Sequence, residues 1–199
     1  MTELYTTALE VQQLCQSQGW SFCIIGGVAV QRWGEPRLTR DVDLTLLTGF
    51  GGEEKFVEQW LRDYQFRPPG SMEMALTSRV LLLVNRRGTP VDVALGGIGF
   101  ERRSIQRSSL WKNPAGALRT CSAEDLLVHK CFAGREQDWV DVGGILARQY
   151  GKLDFDLVRR ELKPLLALQE QSDKLERLEQ KIQDHARPLA TLPPPGQES

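Results

Sequence analysis

Two aspartates one residue apart, set in an otherwise apolar segment, constrain this chain more than any other feature. Residues 40–47 read Arg40-Asp41-Val42-Asp43-Leu44-Thr45-Leu46-Leu47. The alternation of acid with Val42 and Leu44 has the period of two expected of a strand, where side chains i and i+2 share a face. Aspartate is depleted in strands, so two of them side by side need a reason. Like charges that close cost free energy unless a cation neutralises them. Hard oxygen ligands of this kind suit Mg²⁺ (or Mn²⁺), which keeps water and substrate phosphate as its other ligands. The plainer alternative is a solvated strand edge.

The surrounding pattern supplies a sheet for those acids. Residues 20–25 and 80–84 are short apolar runs that read as buried strands, and residues 91–95 read as the hairpin partner of the latter across the turn Arg86-Arg87-Gly88-Thr89-Pro90. Helical spacing covers residues 3–18, 52–65, 122–132, 136–149 and 155–185, with a short helix over 28–33. Ser122 is the expected N-cap of its helix, and Pro164 is expected to kink or restart the last one. The predicted fold class is therefore α/β (α+β), a small mixed β-sheet flanked by helices. The division is a core over residues 1–100, a helical C-terminal part over 101–187 and a disordered tail over 188–199. Residues 102–119 carry Arg102, Arg103, Arg107, Lys112 and Arg119 with little periodicity. They read as a solvated loop or as a source of phosphate contacts.

Composition narrows the partners. The net charge of the 199 residues is -1, so no global positive field draws in a polyanion, and any such contact needs a local patch. The four cysteines form no Cys-x-x-Cys pair and only two histidines occur, which argues against zinc and for reduced cytoplasmic thiols. Neither a signal peptide nor a membrane span is expected, so no membrane partner is.

Two further features point to the same place as Asp41 and Asp43. Gly26-Gly27 lies between a strand and a helix, where glycine lets a ligand approach the backbone and the helix start offers free N–H groups to phosphate. A packing bend is the alternative. Asp92 interrupts the apolar run Val91-Asp92-Val93-Ala94-Leu95 and needs a partner. A neighbouring strand would bring it to the aspartate pair, giving three carboxylates able to bridge metal ions, activate an attacking hydroxyl and stabilise leaving pyrophosphate. The alternative is an ion pair with Arg86 or Arg87.

These residues resemble a known pattern. Ile25-Gly26-Gly27-Val28-Ala29 followed by Gly34-Glu35-Pro36-Arg37-Leu38-Thr39-Arg40-Asp41-Val42-Asp43-Leu44 is similar to the signature of the DNA polymerase β-like nucleotidyltransferase superfamily. Arg-x-Thr-x-Asp-x-Asp, with Lys130 and then Arg135, Asp138 and Asp141, resembles the AbiEii-type nucleotidyltransferases, toxins of type IV toxin–antitoxin systems. The resemblance covers about residues 20–148. It implies a nucleotidyltransferase fold with a helical C-terminal part closing over a nucleoside triphosphate (NTP). It implies that Asp41, Asp43 and Asp92 bind metal and are catalytic, and that Gly26, Gly27, Thr39, Lys130 and Asp138 bind nucleotide. Lys130 would touch phosphate, or else lie on the surface over Leu126 and Leu127. Asp138 and Asp141 would position Lys130, Arg135 or the nucleotide, or else be solvated charge. Arg37 would support the loop before Asp41 or pair with Glu35, and Arg79 would reach the nucleotide or merely end a strand.

The expected activity is metal-dependent transfer of a nucleoside monophosphate to a hydroxyl acceptor, with an RNA or tRNA 3′ end as one candidate and a cognate antitoxin as a further partner. The rival readings are a non-catalytic nucleotide-binding module on the same fold, or a partner-bound protein that uses the leucine stripe over 165–182 as a dimer seam.

Overall fold

The computed structural model describes residues 2–186; the expected disordered tail lies outside the described residues. Helix α1 (Thr2–Ser17) precedes β1 (Phe22–Ile24), α2 (Gly26–Trp33), β2 (Val42–Leu47) and α3 (Glu54–Trp60). A short β3 (Gln65–Phe66) and α4 (Met72–Ser78) lead into the hairpin β4 (Val80–Val84) and β5 (Pro90–Gly96). Then come α5 (Gly99–Arg107), a second hairpin of β6 (Ser109–Asn113) and β7 (Gly116–Thr120), and the helices α6 (Ala123–Ala133), α7 (Glu136–Gln149), α8 (Phe155–Ala167) and α9 (Asp173–Ala186).

The strands form one mixed sheet in the order β3-β4-β5-β2-β1-β7-β6. β2 and β5 run parallel, as do β1 and β7, while the other neighbours are antiparallel. The period of two sorts the sheet into two faces. Val42, Leu44 and Leu46 of β2 and Val91, Val93 and Leu95 of β5 are buried in a core shared with α1, α3 and α4. The alternate positions, Asp43 and Thr45 of β2 and Asp92 and Ala94 of β5, therefore face the other side. A one-residue slip of either strand would drive its acid into that core, so the apolar pattern sets the register that serves the acids.

A second core lies on the acid-bearing side. Its centre is α6, whose Leu126, Leu127, Val128 and Cys131 are buried together with Trp139, Ile145, Leu162 and Leu178 from α7, α8 and α9. Ser122 caps α6 by accepting a hydrogen bond from the Asp125 amide at 3.1 Å, and Gly134 ends it at a positive φ of 67°. No helix among the described residues is long and apolar enough to cross a membrane.

Several local expectations change. Residues 102–119 are a helix and a hairpin rather than a loop, and β6 and β7 extend the sheet. Two of their basic side chains are ion-paired: Arg103 with Glu161, and Arg107 with both Asp125 and Glu161. The tertiary partner of each arginine lies 18 to 58 residues away, beyond any local pattern. Pro164 does not break its helix; α8 continues to Ala167, and the interruption falls before Asp173. The leucine stripe is no free seam, because Leu165, Leu178 and Ile182 are buried within the second core while Leu168 is exposed.

Candidate active site

The chain leaves β1 through Ile25, whose amide donates to the Asp43 carbonyl at 2.9 Å, and then turns sharply into α2. The turn needs glycine twice. Gly26 has φ +58°, and a Cβ there would lie 1.9 Å from Asp43 Oδ2; a Cβ on Gly27 would lie 2.2 Å from Thr39 Oγ1. The glycines thus admit the carboxylate of Asp43 and the side chain of Thr39 against the start of α2. The Gly27 amide points at Asp43 Oδ2, 3.4 Å away. The N-cap residue Ile25 has no side-chain cap to offer, and Gly26 and Gly27 at this helix start line the cleft.

Asp41 precedes β2 rather than lying in it, and Thr39 donates a hydrogen bond to its Oδ1 at 3.0 Å. Asp43 stands directly beside Asp92 in the parallel β2–β5 register. Carboxylate oxygens of Asp41, Asp43 and Asp92 lie within 4.8 Å of one another. Burial, with Asp41 and Asp92 beside it, pushes the Asp43 carboxyl up to about 6. Burial also raises Asp92, against a hydrogen bond from Arg67 that lowers it.

Arg67, which follows β3, donates to Asp92 Oδ1 at 2.5 Å. Sequence reasoning missed it and proposed Arg86 or Arg87 instead; Arg87 pairs with Glu3 and Glu10 on α1. Arg67 sits in a turn with no periodic signal, and only the β3–β4 pairing brings it over β5.

Opposite the carboxylates lies a chain of alternating charge. Lys130 is buried, not a surface lysine, and its Nζ lies 3.0 Å from Asp138 Oδ1 and 2.8 Å from Asp141 Oδ2. Arg37 grips Asp141 through two bonds of 2.7 and 2.9 Å rather than pairing with Glu35. Arg135 donates to Asp138 at 2.7 Å. Burial pushes the Asp138 and Asp141 carboxyls up, but their hydrogen bonds from Arg135, Arg37 and Lys130 outweigh it, and both lie below the usual range. Neither aspartate is solvated charge. Arg79 is occupied elsewhere, by Glu53 and the carbonyls of Gly49 and Leu95, as a strand-end clip.

One cleft of about 580 Å³ is lined by Gly26, Gly27, the three aspartates, Arg37, Lys130, Arg135 and Asp138, while Asp141, Arg67 and Arg79 stand behind or outside its lining. Thr39 is the exception among the expected site residues: its hydroxyl serves Asp41.

Most of the chain aligns with a solved structure of similar fold. An antigenic nucleotidyltransferase-like protein from Paracoccidioides brasiliensis aligns over 89% of this chain and 92% of its own, with a TM-score of 0.52 and 19% identity. The chain has a nucleotidyltransferase-like fold. A lincomycin-bound lincosamide antibiotic adenylyltransferase, LnuA, aligns over 69% of this chain and 92% of its own (TM-score 0.45, 13% identity). ANT(2'')-Ia in complex with adenylyl-2''-tobramycin aligns over 94% and 100% (TM-score 0.45, 13% identity). No family model matches the chain and no curated protein does, so the narrower AbiEii resemblance rests on the sequence motifs alone.

On this nucleotidyltransferase-like fold, Gly26→Ala is expected to destabilise the protein by about 2 kcal/mol or more, since a side chain at positive φ is strained and collides with Asp43. Urea denaturation measures it. An unchanged midpoint would show that the turn tolerates a methyl group.

Proposed function

We propose that this protein is a metal-dependent nucleotidyltransferase that moves a nucleoside monophosphate from an NTP to a hydroxyl acceptor. The observation that carries the reading is the convergence of Asp41, Asp43 and Asp92 within 4.8 Å at a cleft that also holds the Gly26-Gly27 start of α2. The donor set fits Mg²⁺ or Mn²⁺, because three hard carboxylate oxygens that repel one another are offered where substrate phosphate has room. When bound, the metal supplies Lewis-acid stabilisation of the phosphoryl oxygens.

The chain's own groups do the rest. The amides at Gly26-Gly27 and the Lys130 ammonium, which has a third N–H beyond its two aspartate bonds, hold the triphosphate. Asp138 and Asp141 position Lys130, and Arg37 and Arg135 add charge at the rim. Asp92 accepts the proton of the acceptor hydroxyl. The acceptor oxygen forms its bond to the α-phosphorus as the bond to the bridging oxygen breaks, and the electron pair leaves with pyrophosphate. Positioning and charge neutralisation carry most of the rate.

A hydroxylated small molecule fits this cleft better than RNA, because Arg103 and Arg107 of the basic run are already bound in ion pairs. A toxin role and a cognate antitoxin follow only from the AbiEii motifs. The test is incubation with α-phosphate-labelled NTPs and Mg²⁺, offered total RNA or a small-molecule extract in parallel. Label in neither fraction, and none on the protein itself, would overturn the reading.

Arg67→Met bears on Asp92. Loss of the neighbouring cation raises the Asp92 carboxyl further, and the base must be ionised to act. The acidic limb of the kcat/KM profile is therefore expected to move to higher pH. A limb that stays in place would remove Asp92 from the role of base.

A further inference from the structure

A second cavity, of about 200 Å³, adjoins the cleft and shares Ile25, Ala94, His129 and Phe132 with it. Thr45 and Ala94 line it, each two residues beyond a site aspartate on the same face of β2 and β5. At the usual strand rise, that places its floor about 6.6 Å from the carboxylates. Phe100 of α5 and His129 and Phe132 of α6 roof it, with the Phe100 and His129 rings 5.0 Å apart.

The walls are apolar apart from the Glu101 carboxylate, whose Oε2 accepts from the Gly97 and Ile98 amides, and two further polar atoms. Thr45 Oγ1 and His129 Nε2 are buried, and neither has a hydrogen-bond partner among the described residues. Thr45 has no exposed surface at all. A buried polar atom without a partner is costly and uncommon in folded proteins. Two of them lining one apolar cavity point to a ligand that completes both. Burial holds the His129 imidazole neutral, its pKa lowered to about 4, so it presents one donor and one acceptor nitrogen.

The occupant must be ring-sized, since a cavity of about 150 Å³ already takes benzene, and it must carry hydrogen-bonding edges. The proposed site for the α-phosphorus lies at the carboxylates, and Lys130, Arg135, Gly26 and Gly27, which would hold the pyrophosphate end, line the cleft but not this cavity. A ribose would span the remaining distance.

We propose that this cavity receives the nucleobase of the triphosphate, with Thr45 Oγ1 and His129 Nε2 reading its edge. The assignment rests on the nucleotidyltransferase reading of the neighbouring carboxylates. It makes base selectivity a property of β2 and α6 rather than of the cleft rim.

Calorimetric titration in Mg²⁺ tests it, with ATP, GTP, CTP, UTP and inorganic tripolyphosphate as probes on the full chain. In the wild type at least one NTP should bind about tenfold or more tighter than tripolyphosphate. Thr45→Val keeps the shape and removes the hydroxyl. It should cost the preferred NTP about tenfold, leave tripolyphosphate within about twofold and raise the melting temperature of the free protein. Ala94→Leu, which fills the cavity, should reduce all four NTPs to the affinity of tripolyphosphate. NTPs that bind no better than tripolyphosphate overturn the proposal, as do Thr45→Val and folded Ala94→Leu proteins with unchanged NTP affinity. Those results leave phosphate binding at the carboxylates standing. If neither tripolyphosphate nor any NTP binds, the parent reading falls and the proposal with it.

Discussion

Asp43→Asn is expected to slow nucleotidyl transfer by about 10³-fold and, at the same time, to make the metal-free protein more stable at neutral pH. The rate loss follows from removing a charged ligand where phosphoryl charge is stabilised, an effect of several kcal/mol. The stability gain follows from the position of Asp43. Its carboxyl is pushed from 3.8 to about 6 by burial and by Asp41 and Asp92. With the folded value above the unfolded one, the native protein binds the extra proton between pH 4 and pH 6. The contribution of this group to stability is therefore fully present below about pH 4 and is lost as pH rises through 6, by about 3 kcal/mol at most. The asparagine variant should lack that decline. Mg²⁺ should stabilise the wild type more at pH 7 than at pH 5, because the ionised site is both the binding form and the strained one. Melting curves across pH, with and without Mg²⁺, measure both effects. A stability difference between wild type and Asp43→Asn that is flat from pH 4 to pH 7 would contradict this account of Asp43, since the opposite contribution of the buried His129 is common to both proteins.

Lys130→Met is expected to be the most destabilising of the single changes considered, by about 3–5 kcal/mol, because it leaves two buried carboxylates without the cation between them. Methionine preserves most of the volume, so the loss reports charge rather than packing. Its pH dependence distinguishes it from a cavity. In the wild type the folded Asp138 and Asp141 carboxyls lie low, so their contribution is present at neutral pH and fades on acidification. Without Lys130 both carboxyls rise, and the variant should recover stability relative to wild type as pH falls and they protonate. The triple change Lys130→Met, Asp138→Asn, Asp141→Asn should restore much of the loss at neutral pH. A Lys130→Met protein as stable as wild type at pH 7 would show that Arg37 and Arg135 alone neutralise the pair.

Much of the fold could be read along the chain because its signal is periodic. The apolar alternation in residues 42–47 and 91–95 identified β2 and β5 and also the side on which their acids lie. Ser122 with its following acids marked the start of α6. Gly26 and Gly27 stood out as a bend, although their reason is steric and became visible only when Asp43 and Thr39 were found in the space a side chain would fill. The pairing of Asp43 with Asp92 depends on β2 and β5 being neighbours, across more than 40 residues of intervening chain, and no local pattern states that.

What the sequence alone determined is which residues carry charge into apolar elements, because hydrophobic periodicity is local and a misplaced acid breaks it visibly. What only the tertiary structure decided is the partner of each charge: Arg67 for Asp92, Lys130 and Arg37 for Asp141, Glu161 for Arg103. Buried charges are settled by whichever opposite charge the packing of remote elements delivers within hydrogen-bond reach. That reach is a few ångströms in space and has no fixed length along the chain.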